Sequence, residues 1–154
     1  NALRDWGHAK DYVQMQWLML QQDHPEDFVI SSGEQHSVRD FIKWSLEELG
    51  VEIQFDGSGV DEIGIVKKIK SQKDTPFLKE GEIIVRVDPS YFRPAEVETL
   101  LGDATKAKDK LGWAPEISVR DMCSEMIKED LKIAKQNAFL KEHGYEINIS
   151  LDSK

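Results

Sequence analysis

The stretch Ser37-Val38-Arg39-Asp40-Phe41-Ile42-Lys43-Trp44-Ser45-Leu46-Glu47-Glu48-Leu49-Gly50-Val51-Glu52-Ile53-Gln54-Phe55-Asp56-Gly57 holds a helix, a stop, a strand and a turn in direct succession. Ser37 carries the short hydroxyl side chain that caps a helix N-terminus. Val38 to Leu49 reads as the helix. Gly50 stops it, because glycine adopts the left-handed conformation that commonly ends a helix. Val51 to Phe55 alternates apolar and polar side chains, the pattern of a strand with one wet face. Asp56-Gly57-Ser58-Gly59 is a turn. A helix feeding straight into a strand places the chain among mixed α/β folds.

The flanks extend that reading. His8 to Gln22 is predicted as a helix, with Ala9, Tyr12, Val13, Trp17 and Leu20 at helical spacing and His24-Pro25 as its end. Asp27-Phe28-Val29-Ile30-Ser31 reads as a short apolar strand closed by Ser32-Gly33. Gly64 to Ile69 and Ile83 to Val87 read as two more strands, with Ser71 to Pro76 as the tip of a hairpin between them. Thr105 to Leu111 is a short helix ended by Gly112-Trp113-Ala114-Pro115. Ser118 caps the longest helix, Val119 to Ala138, whose buried stripe is predicted at Met122, Met126, Ile127, Leu131 and Ala134. The tail after Gly144 reads either as a strand or as a partner-binding arm.

Composition bounds the function. At 154 residues the chain is long enough for a real core. Its formal charge of −9 and pI near 4.9 argue against a nucleic-acid groove, which needs a basic face. No apolar run is long enough for a membrane span, so neither nucleic acid nor membrane is expected as a partner. The lone cysteine, Cys123, excludes an internal disulfide and suits a reducing, cytoplasmic compartment. Its place in helical sequence predicts a buried packing thiol.

Chemistry-bearing motifs are few. The four histidines, at 8, 24, 36 and 143, do not pair at metal-ligand spacing. Gly57 and Gly59 begin a glycine pattern, but Glu62 stands where a dinucleotide loop needs its third glycine. There is no hydrolase elbow or P-loop, and no tyrosine is followed four residues later by lysine. Lys67, Lys68, Lys70 and Lys73 read as solvated charges that guard a strand edge. The tryptophans at 6, 17, 44 and 113 read as core and interface anchors. The sharpest candidate is Arg93-Pro94-Ala95-Glu96, in the run Tyr91-Phe92-Arg93-Pro94-Ala95-Glu96-Val97-Glu98-Thr99-Leu100-Leu101-Gly102-Asp103. Proline favours the first helical position. Arg93 would then sit beside outward-pointing N–H groups, a cradle for a diphosphate. Glu at the third helical position is equally what an ordinary cap looks like, and on spacing alone the cap is favoured.

Longer stretches carry a family likeness. Arg4-Asp5-Trp6-Gly7-His8-Ala9-Lys10-Asp11-Tyr12-Val13 resembles the segment that opens the C-terminal part of GDP-mannose 4,6-dehydratases. Pro25 to Ile30, Ser37-Val38-Arg39, Tyr91 to Val97, Leu101-Gly102-Asp103, Lys106-Ala107 and Leu111-Gly112-Trp113 with Pro115 continue the resemblance in order. These are extended short-chain dehydrogenases/reductases that convert GDP-mannose to GDP-4-keto-6-deoxymannose with a tightly held NADP.

The resemblance implies a C-terminal substrate domain without most of the N-terminal Rossmann domain, which carries NADP and the catalytic Thr, Glu, Tyr and Lys. Residues 1–32 are expected to pack on that domain and residues 33–154 to bind the nucleotide sugar. No catalytic or cofactor-binding residue is expected in this chain, nor NADP bound to it alone. The expected substrate contacts are Arg4 near the diphosphate, Arg93 on the diphosphate and Glu96 on the ribose. Arg39 is expected to form a surface salt bridge. The start at Asn1, without methionine, suits a processed chain or a piece of a longer one, inactive by itself. A homo-oligomer is implied, and the isolated chain is expected to self-associate through exposed Trp6, Trp17 and Phe28. Two alternatives stay open: a free-standing nucleotide-sugar binding module, and a related epimerase or dehydratase that takes another base.

Overall fold

Each long helix begins at a side chain that accepts a hydrogen bond from the backbone two or three residues on. His8 Nδ1 accepts from Lys10 N at 3.0 Å, Ser37 Oγ from Asp40 N at 3.1 Å, and Ser118 Oγ from Asp121 N at 3.1 Å. At Ser37 the cap is reciprocal, because Asp40 Oδ2 accepts from Ser37 N at 3.1 Å. The computed structural model describes residues 2–93 and 97–146. In chain order the elements are β1 (Leu3–Arg4), α1 (Ala9–Leu20), β2 (His36–Ser37), α2 (Val38–Glu48), β3 (Val51–Asp56), β4 (Ile63–Ile69), β5 (Ile83–Arg86), β6 (Thr99–Leu100), α3 (Thr105–Leu111) and α4 (Val119–Glu142). Single 3₁₀ turns lie at Gly59–Asp61 and Pro89–Tyr91.

Two small sheets result. One is an antiparallel meander in the order β3-β4-β5, with Val51 opposite Ile69 and Ile63 opposite Arg86. The hairpin expected between β4 and β5 is present. The other has the order β2-β1-β6. Leu3 pairs antiparallel with Ser37 and parallel with Thr99, which joins three distant parts of the chain.

The core has two parts. Met15 of α1, Ala107 of α3 and Trp113 form a buried cluster, with Leu18, Phe28, Ile30 and Leu111 packed around it. Trp113 is 2% exposed, and its Nε1 donates to the Asp11 carbonyl at 3.1 Å. Val51 and Val66 are buried in the meander, and α2 packs on both β3 and α4. Cys123 of α4 is buried, as expected, with its Sγ 3.2 Å from Ser45 Oγ of α2.

Four expectations need correction. Asp27–Ser31 is not a strand. Its neighbourhood bonds to side chains instead: Lys106 Nζ donates to the Asp27 carbonyl at 2.8 Å, and Ser32 N donates to Asp5 at 2.7 Å. No helix follows Arg93 into the described residues. Val97 and Glu98 are irregular, and Thr99–Leu100 is strand, because Leu3 N donates to the Glu98 carbonyl at 2.8 Å. Pro94, Ala95 and Glu96 lie outside the described residues, as does the tail from residue 147 onward. In α4 the buried positions are Val119 and Cys123, whereas Met126 and Ala134 are exposed, since the helix outruns the layer beneath it. Trp6 and Phe28, expected to be exposed, are half-buried, Trp6 edge-on to Phe41 and Phe28 against the Met15–Trp113 cluster, whereas Trp17 is 59% exposed as expected.

Replacing Trp113 removes the largest buried side chain and the bond its Nε1 donates to the Asp11 carbonyl. Trp113→Ala is expected to lower stability by about 3–5 kcal/mol in urea denaturation. A loss under about 1 kcal/mol would show that this cluster is not the core.

Candidate functional site

Asp88 organises the approach to the site. Its carboxylate accepts from Ser90 N at 2.9 Å and Ser90 Oγ at 2.7 Å. The Ser90 hydroxyl, followed by its N–H, holds the Asp88 carboxyl below its ordinary pKa. That cap sets the Pro89–Tyr91 turn, from which Tyr91, Phe92 and Arg93 emerge exposed. Opposite them stand β1 and β6. Between the two walls is a cleft of about 740 Å³, lined by Leu3, Tyr91, Phe92, Arg93, Glu98 and Thr99, with Val38 and Val87 completing its apolar surface. Neither the guanidinium of Arg93 nor the carboxylate of Glu98 has a hydrogen-bond or ion-pair partner among the described residues.

The expected site residues separate. Arg93 lines the cleft. Arg4 follows Leu3 on β1, so its side chain leaves by the other face of the strand. Its Nη1 donates to the carbonyls of Leu3 at 2.8 Å and Val97 at 2.9 Å. It lines a neighbouring hollow of about 340 Å³ with Asp5, Ile30 and Leu101. Arg4 thus secures the strand that forms the cleft wall. Glu96 lies outside the described residues. Arg39 makes the expected salt bridge, Nε to Glu62 Oε1 at 2.6 Å.

Sequence reasoning passed over Asp5. Its carboxylate accepts from Ser32 N at 2.7 Å, Ser32 Oγ at 2.6 Å, Gly33 N at 3.0 Å and Gly102 N at 3.3 Å. Burial opposes ionisation here, but these four donors together outweigh it, and the pKa falls below the ordinary value. Reasoning also passed over Glu98 and the adjacent rings Tyr91-Phe92. The available signal was two aromatics beside an arginine in a polar, proline-containing run.

Among the described residues, no group of three His, Cys, Asp or Glu side chains could hold a metal ion. The Gly57 to Gly59 turn links the antiparallel strands β3 and β4 through a 3₁₀ turn. A dinucleotide loop instead joins a strand to the helix of a parallel βαβ unit, so these residues do not fit NADP. Among the described residues no helix is long and apolar enough to cross a membrane.

Among the described residues Arg93 has no ion-pair partner and stands beside aromatic rings in an open cleft, an arrangement chemically suited to an anionic, ring-bearing ligand. Comparison with known proteins narrows the class. The family model described as GDP-mannose 4,6 dehydratase matches residues 1–126. A GDP-mannose 4,6-dehydratase of Vibrio cholerae is 63% identical over 99% of this chain, and one of Yersinia enterocolitica is 60% identical over 99%. The human GDP-mannose 4,6 dehydratase is 44% identical over 89%. The chain therefore belongs to the GDP-mannose 4,6-dehydratase family. It spans 41% of the length of the two bacterial relatives and 34% of the human one. In fold it is similar to the Bordetella bronchiseptica enzyme WbmG, solved in complex with NAD and UDP. That likeness has a TM-score of 0.52 at 19% identity, over 93% of this chain and 34% of that one.

Asp5 links the site to acid stability. A carboxylate with a lowered folded pKa adds stability that is complete above its unfolded pKa and lost as pH falls through the folded value. The window therefore opens below about pH 4. Asp5→Asn is expected to cost about 1–3 kcal/mol at pH 7, because an amide meets the N–H donors with fewer acceptor sites. It should also flatten the fall in urea midpoint between pH 5 and pH 3. An unchanged acid limb would remove Asp5 as its source.

Proposed function

We propose that the protein to which this chain belongs converts GDP-mannose to GDP-4-keto-6-deoxymannose, and that this portion grips the nucleotide end of the substrate. The observation that carries the second half is Arg93, which lines the cleft with no acidic partner among the described residues. Its planar, permanently charged fork matches phosphate oxygens, and such charge-assisted bonds are strong. Glu96 accepts from the ribose hydroxyls. Arg4, which lines the neighbouring hollow, supports this grip by holding the wall strand β1 through the carbonyls of Leu3 and Val97. The chain supplies binding and orientation. NADP and the catalytic residues sit elsewhere in the whole enzyme, which is cytoplasmic.

The division of the chain belongs to the same proposal. Residues 33–154 form the nucleotide-sugar portion, and residues 1–32 pack on the cofactor-holding Rossmann domain. Val13, Trp17 and Leu20 support this. They recur along one face of α1, and all three are exposed. A stripe of that kind asks for a cover.

Two measurements test the proposal. Arg93→Ala in the full-length enzyme should weaken both GDP-mannose and GDP by about 1.5–3 kcal/mol in isothermal titration. Undiminished affinity for both would overturn the diphosphate assignment. The isolated chain should associate with rising concentration in light scattering, and Trp17→Glu should suppress this. A monomer mass throughout would count against an uncovered stripe.

A further inference from the structure

The lysines at 67, 68, 70 and 73 take no part in the cleft. Their expected duty at a strand edge fails, since β4 is the central strand of its sheet. Their surroundings are segregated in charge. Residues 67–79 and 131–141 together hold eight lysines and one acid, Asp74, in a chain whose formal charge is −9. The two stretches meet, because Lys135 of α4 is paired with Asp74. Lys70 is spent on Glu52 and Lys132 on Glu129, whereas Lys73 and Lys79 have no ion-pair partner among the described residues. We infer that this lysine-rich face docks on an anionic lipid bilayer, with Phe77 as the side chain that enters it.

Phe77 has no place in the packing of the fold. It stands at the corner of the turn Thr75-Pro76-Phe77-Leu78, which Leu78 N closes by donating to the Thr75 carbonyl at 3.3 Å. It is 90% exposed. Turn corners ordinarily carry Gly, Asn, Asp or Ser, and a phenylalanine left in water contributes nothing to the hydrophobic core. The turn is nevertheless braced. Thr75 Oγ1 donates to the Ser71 carbonyl at 3.3 Å, Gly81 N to the Val66 carbonyl at 2.8 Å, and Ile69 N to Glu80 Oε1 at 3.0 Å. Glu82 accepts from Lys79 N at 3.1 Å, so the next two carboxylates along the chain are turned back onto the backbone. On α4, Phe139 lies one turn beyond Lys135 on the same side and is 58% exposed. Each member of the ion pair thus has an exposed ring close by in sequence.

A bilayer suits this combination. Pro76-Phe77-Leu78 is a run of three apolar residues at an outward corner, with no hydrogen-bonding side chain to read a base. An apolar wedge flanked by lysines sinks its ring to the boundary of headgroups and acyl chains and leaves the ammonium groups among the lipid phosphates. A single signal gives only marginal attachment, so ring and lysines are both required. The expectation that no membrane takes part rested on the absence of a spanning run, and a surface contact needs none.

The test is sedimentation of the full-length protein with vesicles of phosphatidylcholine alone or of an equal mixture of phosphatidylcholine and phosphatidylglycerol. The wild type should bind the mixed vesicles, release them as salt rises, and ignore the neutral ones. Phe77→Ser should weaken binding about ten-fold. Lys73→Gln combined with Lys79→Gln should weaken it by at least about ten-fold and flatten its salt dependence. Phe77→Trp should keep the binding, with emission shifted to shorter wavelength on the mixed vesicles and not on the neutral ones. That variant keeps a ring at the corner, so its emission decides the matter should either of the others unfold. Failure of the wild type to sediment, equal binding to both vesicle types, or undiminished binding by Phe77→Ser would each overturn the inference. Binding of a single-stranded oligonucleotide without binding of vesicles would also overturn it and assign the lysines to nucleic acid.

Discussion

The Asp5 carboxylate ties the N-terminal segment to Ser32 and Gly33, and to Gly102, which is 97 residues away in sequence. The β2-β1-β6 sheet cannot hold this arrangement alone. Each of its strands is two residues long, and such short ladders offer few bonds against the entropy of closing long loops. Asp5 follows β1 directly, so fixing it fixes Leu3 and Arg4, and through them the wall strand β6. The closeness has a cost. A Cβ on Gly102 would lie 2.3 Å from Ser31 Cβ, so only glycine fits there. Among the described residues, Ser31 Oγ is left buried without a hydrogen-bond partner. The four bonds at Asp5 offset that loss.

The motif that carries the family likeness, Arg4 to Val13, is largely structural. Arg4 bonds the carbonyl of Val97, Asp5 is the hub, and Trp6 meets Phe41 edge-on at 5.4 Å. Gly7 lets the Tyr12 ring lie against the backbone, since a Cβ there would come within 2.2 Å of it. His8 caps α1. Asp11 is 3% exposed and accepts from Ile117 N at 3.1 Å, which staples α1 to the loop before α4. A family match can thus rest on the scaffold that positions a cleft, while the residues that line the cleft stand elsewhere.

Legibility followed the range of the forces involved. The helices α1 to α4 and the meander β3 to β5 were readable because capping, periodicity and turn chemistry act over a few residues. Strands β1, β2 and β6 were not readable, since their pairing depends on partners tens of residues apart. Asp27–Ser31 has the apolar composition of a strand, but Lys106 and Asp5 take up the backbone groups around it. The stripe on α4 failed at Met126 and Ala134 for a related reason. Periodicity marks a face, but not how far the covering layer extends. In the cleft, Arg93 was readable as a candidate from its run, although spacing alone favoured a cap there. Glu98 was not, because its place in the cleft comes from its pairing with β1.

The charge balance bears on the anion contact proposed at Arg93 in an acidic chain. Many of its cations are neutralised locally: Arg39 by Glu62, Arg120 by Glu47, Lys70 by Glu52, and Lys106 and Lys110 by Glu26. Among the described residues Arg93 has no such partner, and Asp88, five residues before it, is turned onto Ser90. Glu98 shares the cleft yet does not pair with Arg93. The overall charge of −9 is therefore compatible with the proposed anion contact, because the cation at the cleft is left available while many others are spent on local carboxylates.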